Sequence, residues 1–175
     1  MDKEKKKVKN IVEELNDKKI NIVLYPGEGI VVQNNNEDIL FKLGSDIREY
    51  KFFDYKFFPK TIEEDGLCYD GDRYDYIEIP ISVWTNYESG DRYIDLINCD
   101  KTCIWQGQEI IGMLYEDFIK QFQIAPDNID KEWLRGISTA NGRNYDIYTF
   151  DSLGISLWVW RKKILEIMIS SIDDE

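Results

Sequence analysis

Three aspartates around a glycine, Asp70, Asp72 and Asp75 with Gly71 inside the run, form the first group along the chain whose spacing could hold a divalent cation. An EF-hand calcium loop needs a bidentate Glu to complete it, and none stands at the required place, whereas Asp-Gly is ordinary hairpin-turn composition. Cys99 and Cys103 are separated by three residues. Zinc would need a second pair of soft ligands, so these two read as strand cysteines. The Pro26-Gly27-Glu28-Gly29 run has the glycines of a phosphate loop but neither its Lys nor its helix entry, and Glu28 would repel a phosphate. Histidine is absent from the 175 residues. That removes Ser-His-Asp and Cys-His catalysis, most general-base schemes near neutral pH and His-based metal ligation. With 34 Asp and Glu, some carboxylates must lie close together in any fold, so proximity alone does not identify a glycosidase-type acid pair. No catalytic residue, metal or cofactor is expected.

Aromatic residues offer a different chemistry. Trp84, Tyr87 and Tyr93 flank Glu88 and Asp91 in a segment of turn composition, and exposed rings beside carboxylates are what a hot spot for a basic partner requires. Asp70, Asp72 and Asp75 would extend that acidic surface. In Ile155 to Trp160 the side chains alternate, so Ile155, Leu157 and Val159 take one face while Ser156, Trp158 and Trp160 take the other. One face is core; the other needs a cover, from a helix of the same chain or from a partner.

Charge points the same way. The net charge is −12, and because the first ten residues carry five Lys against Asp2 and Glu4, the remainder sums to −15. A field of that sign repels nucleic acid and anionic lipid and steers basic proteins or cations to the surface. The early lysines interleave with Glu4 and lead into Val8, Ile11, Val12 and Leu15 at helical spacing, which predicts a solvated helix face rather than a basic arm. No early apolar run resembles a signal peptide and none approaches the roughly 18 residues of a membrane span. Three cysteines, Cys68, Cys99 and Cys103, do not make a disulfide framework. A cytoplasmic protein with free thiols is expected.

These residues must be positioned by elements legible in the pattern. The apolar stripe predicts a helix over residues 3 to 17, and the alternation of Ile20, Ile22 and Leu24 predicts a strand, with a second from Ile30 to Val32 after the glycine turn. Asn36 could cap a short helix from Glu37 to Leu43, ended by Gly44. Tyr50 to Phe58, Gly66 to Tyr69, Tyr74 to Val83 and Tyr93 to Cys99 read as strands, with Pro80 marking an edge or bulge. Met113, Leu114, Phe118, Ile119 and Phe122 recur at helical intervals. Asp127 or Asn128 could cap a helical turn through Trp133-Leu134, and Gly136 to Gly142 reads as a loop. Tyr145 to Phe150, Gly154 to Trp160 and Ile164 to Ile169 form a three-strand meander with turns at Asp151-Ser152 and Arg161-Lys162-Lys163.

Gly66-Leu67-Cys68-Tyr69 and Gly154-Ile155-Ser156-Leu157 share a glycine with apolar residues one and three places on, and Glu78-Ile79 and Glu166-Ile167 follow at equal distance. With Leu43-Gly44 and Ile111-Gly112-Met113 upstream, two helix-then-hairpin units are suggested. The Gly-Glu-Gly-Ile turn, the Leu-Gly pair and the Tyr-x-x-x-Gly-Ile type of strand resemble those of small bacterial toxin-immunity proteins, across residues 20 to 170. The helix-plus-strands pattern is also similar to the repeat of β-lactamase inhibitor proteins, which are secreted. What the resemblance implies is a small inhibitory or immunity-type binder.

The sequence therefore predicts a single α+β domain spanning residues 1–175, with lobes at 1–98 and 99–175. Its sheets would be largely antiparallel, with an N-terminal and a central helix. It would act as a non-catalytic acidic protein that occludes a basic effector such as a nuclease toxin, with no nucleic-acid or membrane partner. Two other classes remain open: a carboxylate-dependent hydrolase or carbohydrate-binding protein using surface tryptophans, and a subunit self-associating through the Trp158 and Trp160 face.

Overall fold

The computed structural model describes residues 20–34, 37–60, 71–134 and 142–172. Along the chain run β1 (Asn21–Tyr25), β2 (Gly29–Gln33), β3 (Asp38–Lys42), β4 (Tyr55–Phe58), β5 (Arg73–Tyr76), β6 (Ile81–Thr85), β7 (Ile94–Cys99), β8 (Ile104–Trp105), β9 (Gln108–Glu109), α1 (Tyr115–Phe122), β10 (Asn128–Leu134), β11 (Arg143–Phe150), β12 (Ile155–Trp160) and β13 (Lys163–Ser170). The fold is mostly β, and among the described residues α1 is its single α-helix. This corrects the predicted α+β class; the helix expected over residues 3 to 17 lies outside the described residues.

Two sheets carry the strands. The smaller has the order β3-β2-β1-β8-β9 and the larger β10-β11-β12-β13-β7-β6-β5-β4. Every pairing is antiparallel except β1 with β8. The larger sheet is two four-strand meanders, β4 to β7 and β10 to β13, joined where Ile167 meets Cys99 and Ile169 meets Ile97. Its alternating sequences explain its sidedness. Ile155, Leu157 and Val159 of β12 and Ile81 and Val83 of β6 are buried, while Ser156, Trp158, Trp160, Ser82 and Trp84 between them are half-buried. The buried side packs against Ile22, Ile30 and Phe41 of the smaller sheet in one continuous apolar core.

α1 packs on that same core side. Phe118 is fully buried, its ring 5.9 Å from Phe150 and 6.1 Å from Trp105, and Tyr115 stacks on Tyr148 at 3.7 Å. Phe150 and Tyr148 pair with Ile155 and Leu157, so α1 covers the apolar face of β12 and not the Trp158 and Trp160 face, for which a helix of the chain was one of the two covers considered.

Two predicted helical segments are strands. Asp38–Lys42, expected within a helix from Glu37 to Leu43, pairs residue for residue with β2, Phe41 opposite Ile30 and Ile39 opposite Val32. Asn34 supplies the local polar contact there, its Oδ1 accepting from Glu37 N at 3.2 Å. Asn128–Leu134, expected as a helical turn, pairs along its whole length with β11. In both places a neighbouring strand satisfies the backbone, and that outweighs weak local preference. Tyr50 to Phe58 is shorter than expected as a strand: Ile47–Tyr50 is a 3-10 turn and only Tyr55–Phe58 is extended. Tyr74 to Val83 splits into β5 and β6 around Pro80. The predicted repeat of helix-then-hairpin units does not hold among the described residues. Leu43-Gly44 follows a strand, Glu78-Ile79 lies in a bend and Glu166-Ile167 lies inside β13; Gly66 to Tyr69 and the loop from 136 lie outside the described residues, with Gly142 alone described.

The C-terminal meander matches its prediction closely. Its last turn is Arg161-Lys162, at φ 50° and 67°. A two-residue hairpin turn of the type I′ class places both positions in the left-handed region, and here two non-glycine residues accept it between strands held by the core.

Candidate protein-binding site

The segment joining β6 to β7 is a short, tightly bonded structure. Asn86 caps the 3-10 turn Tyr87–Ser89, its Oδ1 accepting from Glu88 N at 2.8 Å and Ser89 N at 3.3 Å. The Asn86 carbonyl accepts from Ser89 Oγ at 2.7 Å and from Asp91 N at 3.0 Å, and Asn86 N donates to Tyr93 O at 2.8 Å. Gly90 and Asp91 both adopt the left-handed region, φ 72° and 59°. Asn, Ser and Gly are the residue types such a cap and reversal require. The result holds Tyr87, Glu88 and Tyr93 outward, all exposed.

Asp91 turns the other way. Its carboxylate is mostly buried and forms an ion pair with Lys60, whose Nζ also lies 4.7 Å from the centre of the Tyr87 ring. Asp91 Oδ1 accepts from Asp72 N at 3.3 Å, and Asp72 Oδ1 accepts from Lys60 N at 3.0 Å. The ammonium of Lys60 is held protonated above its usual range, chiefly by the hydrogen bond to Asp91. Gly71 makes this node possible: a Cβ there would sit 1.8 Å from Thr85 O. Three predicted partner-binding residues, Tyr87, Asp91 and Asp72, therefore converge on Lys60, which sequence reasoning did not single out. The two carboxylates serve the fold.

Asp75 and Trp84 sit elsewhere, on the half-buried face of the larger sheet. Arg73 Nε contacts Asp75 Oδ1 at 3.0 Å without hydrogen-bond alignment, and the guanidinium lies 4.1 Å from the Phe58 ring centre and 5.8 Å from that of Trp84. Asp70 lies outside the described residues.

Glu88 and Asp95 differ from Asp46 and Asp91 in lying together without a cation beside them among the described residues. Glu88 and Asp95 line one open cleft of about 490 Å³ with Asn86, Ser89, Tyr93 and the backbone at Gly27 and Gly44. The Asp95 carboxylate accepts from Asn86 Nδ2 at 3.4 Å, its one hydrogen bond among the described residues. Among the described residues no Lys or Arg is within ion-pair distance of Glu88 or Asp95. Nearby, Arg92 is spent on Asp46 at 2.8 Å, and Arg48 binds the same carboxylate at 2.6 Å. Those bonds, from Arg48 above all, hold Asp46 far below the usual carboxylate range. Asp95, an exposed strand position two residues beyond Tyr93, escaped the sequence reading: alternation through the buried Ile97 and Cys99 would turn it inward, and the register shift opposite Trp84 and Thr85 leaves it exposed.

Glu166 is the one described carboxyl raised above its ordinary value, by burial against the sheet, while Asn98 Nδ2 donates to it at 3.3 Å. It faces Trp158 across the strands. Cys99 and Cys103 are buried free thiols, and the Cys99 thiol is pushed up by its contact with Cys103 and by burial. Among the described residues no group of His, Cys, Asp and Glu could hold a metal ion, and no helix is long and apolar enough to cross a membrane. Comparison with protein-family models, with curated proteins and with solved structures finds no match.

Proposed function

We propose that this protein is a non-catalytic binder of a basic protein, of the inhibitor or immunity type, and that it engages its partner through the cleft between Glu88, Tyr93 and Asp95. The observation that carries this reading is the pair of uncompensated carboxylates in that cleft. Asp46, Asp75 and Asp91 each have an internal cation, whereas Glu88 and Asp95 have none among the described residues. A Lys or Arg from a partner would find two carboxylates and the exposed ring of Tyr93, a combination that favours a cation both electrostatically and through the ring face. The rigid cap at Asn86 keeps the ordering cost low. The overall charge of −12 adds long-range steering toward a basic surface.

The test is capture of binding proteins at low and high salt by the natural chain and by the double variant Glu88→Lys, Asp95→Lys. A basic protein retained by the natural chain, shed at high salt and absent with the variant supports the reading. Equal retention by both chains refutes the cleft, and recovery of no partner at either salt refutes the function.

A further inference from the structure

We propose that the β4 edge of the larger sheet is a second docking site, which accepts an extended segment of another polypeptide carrying an apolar-acidic-apolar triplet. Among the described residues β4 is the last strand of its sheet and pairs only with β5. Ile77 N donates to Asp54 O at 2.9 Å, so Asp54 and Ile77 are a hydrogen-bonded pair. In an antiparallel ladder such pairs alternate, which directs Lys56 and Phe58 toward β5 and turns the N–H and C=O of Tyr55 and Phe57 outward. Neither outward residue has a backbone partner among the described residues. An edge with free backbone groups is a template for strand addition.

The side chains distinguish this edge from the others. β10 carries three consecutive charges, Asp130, Lys131 and Glu132, β3 begins with Asp38 and ends with Lys42, and β9 is only the two residues Gln108–Glu109; runs of charge and very short strands deter pairing, whereas β4 has one charge between aromatic residues. On β4, Phe57 and Phe58 are 50% and 40% exposed, and Phe52 and Ile77 near its other end are 67% and 62% exposed. Behind Phe57 the aromatic packing continues inward, with Tyr74 at 5.3 Å and Tyr55 a further 5.1 Å from Tyr74. That backing makes the edge a firm apolar surface.

Charge selects the occupant. Lys56 is the only charged residue of β4 and is exposed; Asp75 stands opposite it on β5 but is engaged by Arg73, and Lys56 has no ion pair among the described residues. Its position between the two outward residues sets it against the central residue of an added strand, where a carboxylate is favoured and a cation opposed. Residues either side of that carboxylate would lie over Tyr55 and Phe57, which calls for apolar side chains. A second copy fits poorly: the two-fold pairing that uses both outward residues sets Lys56 against Lys56, and each copy carries a charge of −12.

The probe is a capped heptapeptide with a central Val-Glu-Val between threonines, titrated into the isotopically labelled protein while backbone amide shifts are followed. Saturable shifts at Tyr55 and Phe57 are expected, with binding weakened about three- to tenfold when the central Glu is replaced by Lys. Methylating both valine nitrogens should abolish binding without altering the protein. Phe57→Pro removes an outward N–H while leaving the β5 ladder intact, and should also abolish it. The proposal is overturned by absence of binding, by undiminished binding of the methylated peptide or to Phe57→Pro, or by sedimentation showing a dimer that Phe57→Pro dissolves. None of these outcomes bears on the Glu88 and Asp95 cleft.

Discussion

Phe118→Ala should be among the most damaging single truncations in this protein. α1 has eight residues, too few for an isolated helix to persist in water, so its stability must come from tertiary packing. Phe118 is its single fully buried residue, with ring contacts to Trp105, Phe122 and Phe150 at 6.1, 4.8 and 5.9 Å. Truncating a buried Phe to Ala removes its transfer free energy and leaves a cavity, about 3–5 kcal/mol together. Lost edge-to-face and tilted ring contacts place the cost toward the upper end of that range. For a chain of this length each kcal/mol lowers the melting temperature by about 2–4 °C, so a fall of roughly 6–20 °C is expected. Urea unfolding followed by circular dichroism would measure it, with Phe122→Ala, whose ring is partly exposed, as the milder comparison. A Phe118→Ala loss below about 1 kcal/mol, or one no larger than that of Phe122→Ala, would show that α1 does not close the core as described.

Gly71→Ala should lower stability by at least about 1–3 kcal/mol, because the new Cβ meets the Thr85 carbonyl and must displace the end of β6; thermal unfolding beside Gly44→Ala, which meets only a left-handed backbone cost, would separate clash from strain. Asn86→Ala should cost about 0.5–2 kcal/mol through loss of the cap and loosen the Glu88 side of the cleft, seen as faster hydrogen exchange at Glu88 and Ser89. Glu166 has a folded-state pKa above its ordinary 4.5, so the native state binds more protons and this group's contribution is present below pH 4.5 and lost as pH rises through the folded value. Glu166→Gln should therefore raise stability at neutral pH and flatten that part of the pH–stability curve, and an unchanged or steeper curve would contradict the burial assigned to it.

The alternation of β12 and the Arg161-Lys162 turn were legible because β12 places one apolar set on a single side and a tight turn sets the adjoining pairs, though the register shift at Trp158/Val159 was not. The stripe of Phe118 and Phe122 was legible for the same reason at helical period. Asp38–Lys42 and Asn128–Leu134 were not. Their patterns are short enough to suit a helix or a strand, and only β2 and β11 lying alongside decide between them. Within the site, turn composition coincides with the ordered segment Asn86 to Arg92, beside which Tyr87 and Tyr93 are exposed, whereas Trp84 belongs to β6 and is half-buried. It could not show which acids were free, since Lys60 reaches Asp91 across 31 residues and Arg92 reaches Asp46 across 46.

Composition by itself determined the strongly acidic charge and the want of any imidazole chemistry, because both are sums over residue types that folding cannot alter. The tertiary structure alone decided how that charge is used. Carboxylates brought within reach of Lys60, Arg48, Arg73 or Arg92 are paired in place, while Glu88 and Asp95, among those the fold keeps beyond a cation's reach, meet at one cleft. Separation in space, which no spacing along the chain records, sets that difference, since the attraction between two charges falls with distance and with the water between them.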